Sequence, residues 1–524
     1  MSRLAAWLRV ASLLYLAVPA AIFLTGWLKL ALAWPLTVLL AAGLAGFLRG
    51  SGRPAAEPEP VPHISIVRLG VAVVLATLPV ILAGAGGVGI QTWDWVKHNA
   101  VLADLVARPW PVVYQTGADD VALVYYLAFY LPAALAGKLA GWAAANLVLF
   151  ITTWAGAMLA MLWLVVFARG AAVAAALVFV LFSGMDAAGA LVVNPAADWP
   201  ALANDFHLEW WATHWQYSSN ASLLYFVPQQ ALGAWLATAL VIDAHLRGDR
   251  KLPMALLLAL LALWSAFAAI GLLPLVAVLL WYRDGWTLRT QASTANLAGL
   301  MLGLVVLLFY GSRLLPFELP AAYGTAAGEP PPGALAWMPS RLSAGEFATS
   351  YSLFVSCEFL VLAALVAVSL ILAGKRREVL LVLVATGILL ALPLVRYGIY
   401  NDLVMRVSIP ALFVLQACVL PVIRRSAAPL LARTAIIAVL GVGALYSANL
   451  LRIGVQAVHE AGHLVRVPDR AEVAGLPAIE VHPTLQLAFS SQYLGSARSL
   501  FYRHLAADAA ALPVARPGPG VGQQ

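Results

Sequence analysis

The sequence predicts an all-α, polytopic integral membrane protein, and three observations support that fold class. Of the 524 residues, 63% are hydrophobic and 10% are charged, with a mean hydropathy of +0.89. Because a soluble domain is about half apolar and a quarter charged, this excess cannot be buried inside a globule. Many apolar runs also exceed the roughly 18 residues that cross a bilayer as a helix. The Lys and Arg residues cluster between these runs, so the net charge of +7 orients the helices and does not indicate nucleic-acid binding.

The apolar runs predict about 12 to 14 transmembrane helices. Their approximate ranges are 8–25, 27–47, 68–85, 120–137, 142–168, 171–193, 222–243, 253–270, 271–283, 291–310, 351–373, 378–395, 409–423 and 434–451. The first run resembles a signal peptide, but a second run follows at once, so we expect an uncleaved first helix. The short pair at 253–283 predicts a hairpin around Gly271 and Pro274. Cys357 and Cys418 lie in or beside apolar runs, which argues against a disulfide framework.

Positive charge predicts the orientation of the helices. Lys and Arg cluster at 49–68, 247–251, 283–289, 375–377 and 424–433, which we assign to the cytoplasmic side. The outer loops are then 86–119, 194–221, 311–350 and 396–408. Three predicted runs separate the first two of these loops, whereas loops on one side need an even number. One run therefore fails to span or splits in two.

The chain divides at residue 451 in this interpretation. Residues 1–451 form the transmembrane domain, and 452–524 form a small extracytoplasmic tail that is more polar. The last stretch, P-V-A-R-P-G-P-G-V-G-Q-Q, is typical of a disordered terminus. Residues 51–62, rich in Pro and Glu, predict a flexible cytoplasmic link.

The first outer loop gathers charged side chains in the stretch T-W-D-W-V-K-H-N at 92–99. The apolar residues that follow recur at helical spacing, which predicts an amphipathic helix lying on the outer membrane face. Asp94 and His98 share one side of that helix, and Lys97 lies within one turn of both. Asp104 and Arg108 form a second pair four residues apart, most simply a solvated salt bridge. A carboxylate between two Trp side chains at membrane depth is expensive and often functional, although an interfacial helix with structural ion pairs remains the alternative.

The last outer loop carries the stretch R-Y-G-I-Y-N-D-L-V-M-R at 396–406. Asp402 and Arg406 lie one turn apart, with Arg396 and Asn401 close by. An internal ion pair explains Asp402 and Arg406 without any function. Arginine side chains on an outer loop also suit a phosphate, which a guanidinium binds through two parallel hydrogen bonds.

The second outer loop combines polar side chains with four Trp residues. The polar candidates are Asp205, His207, Glu209, His214 and Gln216. We expect Asp205 and Glu209 to share a face. A carbohydrate would stack on the indoles, and anchoring in the membrane interface is an equal alternative.

The tail contains H-E-A-G-H at 459–463, a match to the H-E-x-x-H pattern of zinc sites. On a helix, His459 and His463 would lie one turn apart with Glu460 as a base. The third-ligand candidates are Asp469, Glu480 and His482. Gly462 weakens the helix, so we interpret the motif as structural or incidental, and a divalent metal ion stays open as a cofactor.

The organisation of the chain resembles the GT-C class of membrane glycosyltransferases, which use sugars linked to polyprenyl phosphates. The segments that carry the resemblance are W-D-W-V-K-H-N, L-E-W-W-A-T-H-W-Q-Y-S-S-N and Y-N-D-L-V-M-R-V-S-I-P. As architecture, the likeness covers most of 68–505. Two features depart from it. Many members carry two adjacent acids in the first loop, whereas here Asp94 is followed by Trp95 and the nearest other acid is Asp104. Two helices also precede the span that bears the loop.

The resemblance implies a bacterial inner-membrane enzyme with its active site on the extracytoplasmic side. Asp94 would take a proton from an acceptor hydroxyl while the sugar leaves its lipid phosphate. The expected phosphate-binding residues are Lys97, His98, Arg396 and Arg406. The expected acceptor or secondary residues are Asp104, His207, Glu209, His214, Asn401 and Asp402. The partners would be the lipid-linked sugar donor, membrane lipids and a glycan, lipid or protein acceptor.

Three other functions remain open at this stage. A transporter or flippase would place charges inside its spans, and this chain has few there. A ligase of surface polysaccharide would also use Arg and Glu in outer loops. A membrane zinc metalloprotease rests on residues 459–463 alone.

Overall fold

Long apolar helices dominate the computed structural model of the protein. The described residues are 2–50, 65–115, 120–196, 199–249, 251–285, 288–313, 335–397, 401–424, 429–476, 493–508 and 512–513. The predicted link at 51–62 and residues 514–524 of the predicted disordered terminus lie outside them.

The α-helices of these ranges follow in chain order. They are α1 (Ser2–Trp27), α2 (Leu30–Gly50), α3 (Ile66–Leu82), α4 (Asp94–Ala107), α5 (Leu131–Ala140), α6 (Trp142–Phe167), α7 (Ala172–Leu181), α8 (Asp186–Val193), α9 (Trp199–Asn204), α10 (Asn220–Phe226), α11 (Pro228–Arg247), α12 (Met254–Trp264), α13 (Ala266–Asp284), α14 (Thr294–Tyr310), α15 (Ala344–Val355), α16 (Val361–Leu372), α17 (Arg376–Ala391), α18 (Asp402–Val407), α19 (Ile409–Arg424) and α20 (Leu430–Ala461).

Within the described ranges, nine helical segments are long and apolar enough to cross a membrane. Two of them join neighbouring helices across an irregularity, at Ala172–Val193 and Ala344–Leu372. Four further apolar helices, α3, α5, α12 and α14, have 10–17 residues. Apolar side chains such as Trp34, Val74 and Leu307 point outward and are exposed. Since lipid is the solvent in which such a surface is stable, the all-α polytopic membrane fold is confirmed.

Helix α11 lies at the centre of the helix packing. It contacts α1, α6, α12, α13 and α19, and every residue from Pro228 to His245 is buried. A helix that is enclosed all round tolerates Gln229 and Gln230 because their amides find partners inside the protein. Its N-terminus follows α10 directly, and this junction faces α4.

The structure accounts for the uneven number of runs between the first two outer loops. The predicted span 120–137 is wrong: residues Asp120–Leu123 form a β-strand, and α5 has only 10 residues. The chain between the loops then crosses through α6 and through α7 with α8. Two crossings allow both loops to lie on one side, as the charge pattern requires.

The hairpin predicted around Gly271 and Pro274 is also wrong. The break lies at Ser265, whose hydroxyl accepts the Ala268 N–H at 3.1 Å and caps α13. Both Gly271 and Pro274 lie inside α13. A Cβ on Gly271 would come within 2.0 Å of the Val407 carbonyl oxygen, so the glycine serves close packing against α18 and not a turn.

Two irregular segments meet inside the helix bundle. The predicted span 171–193 is broken between α7 and α8, and the Met185 N–H donates to the Cys357 carbonyl at 2.9 Å. Opposite it, α15 and α16 are joined by a π-helical turn at Ser356–Leu360. Non-helical backbone at membrane depth is stable only where protein covers it. Such π-turns often occur at functional positions, and this one presents Glu358 to the break.

The C-terminal segment pairs through β-strands with the chain at the end of the first outer loop. Strands β1 (Val113–Gln115), β2 (Asp120–Leu123), β5 (Leu494–Ser496) and β6 (Leu512–Pro513) form a sheet in the order β5-β2-β1-β6. Strands β3 (Ala336–Trp337) and β4 (Val395–Arg396) pair separately and join the third and fourth outer loops. The boundary predicted at 451 does not separate two units, because α20 continues to Ala461 and the Arg466 N–H donates to the Gly87 carbonyl at 2.8 Å.

Candidate functional site: a buried charge cluster around Asp94

Helix α4 carries the predicted catalytic carboxylate, but it does not lie on a surface. Gly84, Gly86 and Gly87 adopt positive φ angles after α3 and turn the chain back into the protein. Most of α4 is buried, and the indole N–H of Trp95 donates to the Tyr225 carbonyl at 3.1 Å. Only its outer side, with Trp93 48% exposed, can meet the membrane interface. The amphipathic surface helix is therefore corrected to a helix enclosed by α5, α10 and the C-terminal segment.

Asp94 and Lys97 form a buried ion pair one turn apart. Each residue is 7% exposed, and the Lys97 ammonium contacts Asp94 Oδ1 directly. Burial acts to raise the pKa of Asp94, but Lys97 and, more weakly, Arg406 outweigh it, so that the pKa is lowered. Asp94 is therefore a carboxylate at neutral pH. The structure thus brings together three of the predicted site residues, Asp94, Lys97 and Arg406.

His98 is an internal support and has no ring nitrogen for a phosphate. Its Nε2 lies 3.0 Å from the Phe226 carbonyl oxygen, which can only accept, and its Nδ1 lies 2.5 Å from the Tyr130 hydroxyl. The neutral ring thus donates at Nε2 and accepts at Nδ1. Burial, and then the charge of Lys97, lowers its pKa to about 3. We therefore correct the expected phosphate contact: His98 fixes α4 to the α10–α11 junction.

Asp104 and Arg108 form a buried pair and not the solvated salt bridge that we expected. They are 2% and 6% exposed, with 3.5 Å between Arg108 Nε and Asp104 Oδ1. Asp104 also accepts the Tyr114 hydroxyl and the Leu476 N–H, each at 2.8 Å. Burial raises the pKa of Asp104 despite these donors. Its oxygens are used within the protein, so the structure gives Asp104 the role of anchoring the C-terminal segment instead of contacting an acceptor.

Arg406 reaches the cluster from the last outer loop. Asn401 opens α18 in the left-handed conformation, with φ at 54°, and its amide donates to the His214 carbonyl at 3.0 Å. The predicted pair of Arg406 with Asp402 is present but loose, at 3.7 Å. The Nε of Arg406 is enclosed and has no hydrogen-bond partner. A guanidinium with an unused donor in electrostatic range of Asp94 is suited to an anionic ligand.

Arg313 is a further cation, in electrostatic range of Tyr125, and its sequence position did not single it out. It follows α14, and its guanidinium carbon lies 5.5 Å and 5.3 Å from the ring centres of Tyr126 and Tyr310. Such ring contacts contribute about 0.5–2 kcal/mol each. Enclosing a cation costs several kcal/mol, so the rings alone do not compensate. Its position among the Tyr residues at the end of an apolar run was the available signal.

Arg396 lines a small cleft at the second and fourth outer loops. The other residues of the cleft are Trp210, Thr213, His214, Trp215, Gln216 and Asn401. The structure therefore joins the predicted residues Arg396, His214 and Asn401 at one place. His207 is exposed and packs its ring against Phe206 and Phe226.

Two indoles of the second outer loop, those of Trp211 and Trp215, pack inside the protein. Trp211 donates to Glu358 Oε1 and Trp215 donates to the Pro393 carbonyl, both at 2.9 Å. Both rings are buried. We therefore correct the expectation of a sugar platform or an interfacial belt for these two side chains.

Glu209 belongs to a buried group of three carboxyl side chains, with Asp186 and Glu358. All three are at most 5% exposed, and they come from the second outer loop, the start of α8 and the π-turn. Glu209 accepts the Ser219 N–H at 2.7 Å and the Gln216 amide at 2.5 Å. Burial and the neighbouring Asp186 raise the pKa of Glu209 to about 8. The sequence indicated Glu209 as an acceptor residue, but neither Asp186 nor Glu358 stood out within its apolar run.

The H-E-A-G-H stretch does not form the helical zinc geometry. Helix α20 ends at Ala461, and Gly462 adopts the left-handed conformation with φ at 69°, so His463 lies beyond the helix. Glu460 accepts the Gln456 amide at 2.8 Å. Asp469 is exposed, whereas Glu480 and His482 lie outside the described residues. Within those described, the structure has no group of three or more His, Cys, Asp or Glu arranged to hold a metal ion.

The charge cluster combines a carboxylate that is ionised at neutral pH with Lys97, which contacts it, and Arg406, which lies in electrostatic range. This arrangement is suited to accepting a proton beside a bound anion. Comparison of the chain with protein-family models, with curated proteins and with solved structures gives no match.

Proposed function

We propose that the protein is a membrane glycosyltransferase of the GT-C type, which moves a sugar from a polyprenyl phosphate to an extracytoplasmic acceptor. The observation that carries the proposal is Asp94, an ionised carboxylate held on α4 against Lys97 with Arg406 in electrostatic range. A lipid-linked donor presents its phosphate at the membrane surface. The leaving phosphate needs cations there, and the acceptor hydroxyl needs a base beside them.

In the proposed reaction, the acceptor oxygen bonds to the anomeric carbon of the sugar as the bond from that carbon to the phosphate oxygen breaks. The acceptor proton passes to Asp94, and the bonding electrons leave with the lipid phosphate. Lys97 is paired with Asp94. A phosphate would compete for the ammonium, and the loss of that partner would strengthen Asp94 as a base.

The test compares glycans and lipids from cells that lack the gene and carry plasmid-borne variants. We expect Asp94→Asn to lower the transferred product by about 10²–10⁴-fold, the usual cost of losing a general base. Asp120→Asn is the matched control, because Asp120 directly follows the same outer loop, at the start of β2, and is exposed. A folded Asp94→Asn protein that restores the product to the wild-type level would refute the assignment.

If the ion pair of Asp94 and Lys97 is purely structural, a different result is expected for a substitution of Lys97. If Asp94 only stabilised the fold, Lys97→Met would lower the amount of folded protein as strongly as Asp94→Asn, since each removes one half of the same buried ion pair. If Asp94 is the base, Asp94→Asn keeps normal protein levels and loses activity. Protein levels are measured by immunoblotting of the membrane fraction.

A transporter or flippase is the second candidate, and the group of Asp186, Glu209 and Glu358 favours it. Ionisable side chains inside spans often carry protons in transporters, and broken helices such as α7–α8 often line their binding sites. Under this alternative, Asp186→Asn abolishes export of the substrate while Asp94→Asn has no effect. The same set of complemented cells separates the two functions.

A further inference from the structure

A cavity lies at the end of the helix bundle that the charge pattern assigns to the cytoplasm. It has a volume of about 290 Å³ and is lined by Arg68, Arg424 and the segment 170–174. Helices α3 and α7 begin there, and α6 and α19 end there. Roughly 20 Å of α3 separates Arg68 from the turn that leads to α4. The cavity is therefore a second site, distinct from the Asp94 cluster.

The protein holds Arg424 in place at the wall of this cavity. Its Nη1 donates to the Ala168 carbonyl at 2.7 Å and to the Arg169 carbonyl at 3.0 Å, just beyond the end of α6. A guanidinium carries five N–H donors, so these two contacts leave Nε and Nη2 available for a ligand. Because the planar group is already oriented, less rotamer freedom is lost when a ligand binds.

The cavity carries positive charge that no acid of the described chain neutralises. Neither Arg68 nor Arg424 has a carboxylate within ion-pair distance among the described residues, whose ion pairs involve other arginines and Lys97. Both side chains are exposed, so water satisfies them and the fold needs no partner for them. Two cations that line one cavity favour an anion, and guanidinium groups bind phosphate oxygens especially well.

An exposed apolar surface continues from the cavity along α3 and α7. Val71 and Leu75 follow Arg68 by three and seven residues, so they lie on its side of α3, and Val71 is exposed. On α7, the exposed Leu177 lies one turn beyond Val173, which lines the cavity. In a membrane these apolar side chains contact acyl chains. A phosphate that is attached to an acyl chain uses both surfaces, whereas a free phosphate ion uses only the cavity.

We propose that this cavity binds the phosphate head group of an anionic membrane lipid. Arg68 and Arg424 bind the phosphate, and the apolar sides of α3 and α7 contact the acyl chains. Basic pockets between helices at the cytoplasmic face are suited to such head groups. The lipid joins four helix ends and stabilises the folded protein, because it binds that state alone. This site goes beyond the proposed function and takes no part in sugar transfer.

The experiment measures lipid binding to the full-length protein in detergent by native mass spectrometry. The probes are dioleoylphosphatidylglycerol, which is anionic, dioleoylphosphatidylcholine, which is zwitterionic, and inorganic phosphate. We expect the tightest site to prefer phosphatidylglycerol to phosphatidylcholine, and inorganic phosphate at the same concentration not to displace it. Arg68→Gln and Arg424→Gln should each weaken phosphatidylglycerol binding about fivefold, and the double variant about 25-fold.

Two further variants separate the cavity from a general effect of surface charge. Arg289→Gln is the matched control, because Arg289 is an exposed arginine of another predicted cytoplasmic segment and does not line the cavity. Val173→Phe keeps both cations and adds bulk to the cavity wall, so it should also weaken phosphatidylglycerol binding. Gel filtration and the unfolding temperature without added lipid establish that each variant is folded.

Each result supports or overturns a specific statement. Unchanged affinity for phosphatidylglycerol in the folded double variant would overturn the site, and so would an equal loss of affinity in Arg289→Gln. Equal affinities for the two lipids would overturn the preference for an anionic head group, and displacement by inorganic phosphate would overturn the lipid as occupant. Loss of binding in the Arg68, Arg424 and Val173 variants supports the site whatever the activity of Asp94→Asn, because the two sites lie at opposite ends of α3.

Discussion

Replacing Glu209 by Gln should remove much of the dependence of the protein's stability on pH. Glu209 is 1% exposed, and its two oxygens accept from Ser219 and Gln216. Burial in the first place, and the nearby Asp186 in the second, raise its pKa from 4.5 to about 8. At pH 7 the side chain therefore carries a proton, and Gln is the neutral isostere of that form. The unpartnered Oε1 of Gln216 can accept from the new amide if the Gln216 amide turns over.

The sign of the effect follows from proton binding in the two states. Between pH 4.5 and about 8 the folded protein holds a proton on Glu209 that the unfolded chain has released. The stabilisation that this proton contributes is therefore fully present below pH 4.5 and is lost as the pH rises to about 8. One pKa unit corresponds to about 1.4 kcal/mol, so the total loss amounts to several kcal/mol. Since 1 kcal/mol shifts the unfolding temperature of a large domain by about 2–4 °C, the change is measurable.

The assay is thermal unfolding of the purified protein in detergent from pH 5 to pH 8.5. The unfolding temperature of the wild type should fall over this interval, and that of Glu209→Gln should fall clearly less. Glu460→Gln serves as the control because Glu460 is exposed. If wild type and Glu209→Gln show the same slope, Glu209 is ionised in the folded protein and the reasoning from burial fails.

Three further predictions follow from the same structure. Asp104→Ala should lower the free energy of unfolding by about 3–5 kcal/mol, because it removes the buried carboxylate that accepts from Tyr114 and Leu476 and pairs with Arg108; chemical unfolding measures this, and a stable but inactive variant would instead support an acceptor role. Metal analysis of the purified protein should find no stoichiometric zinc, because His463 lies beyond the end of α20; one zinc per chain that disappears in His463→Ala would contradict this. In a cysteine-free background, a cysteine at His207 should react with an impermeant reagent on intact cells, while one at Arg376 should react only after the cells are opened. The reverse pattern would invert the topology.

The position of the candidate base was predictable, whereas its environment was not. Asp94 and Lys97 are three positions apart on a predicted helix. Side chains three or four positions apart share a helix face, so the sequence alone predicts that these two lie side by side. That His98 is neutral depends on Phe226 and Tyr130, which come from other elements. The sequence did not indicate Arg313, because a single Arg after an apolar run is typical of a helix end. Which side chains surround Arg313, among them the rings of Tyr126 and Tyr310, depends on its neighbours in space.

By itself, the sequence determined that the chain is an all-α membrane protein, because the length and hydrophobicity of each run are local properties that suffice to place it in a bilayer. It also determined most helix positions, since 3.6-residue periodicity and Gly or Ser boundaries act within one turn. Only the tertiary structure decided which charges are buried together. Asp186 and Glu358 are 172 positions apart in neighbouring bundle segments, and the segment after α20 returns to cover Asp104. Such contacts are set by the packing of distant elements, whose energies no local pattern contains.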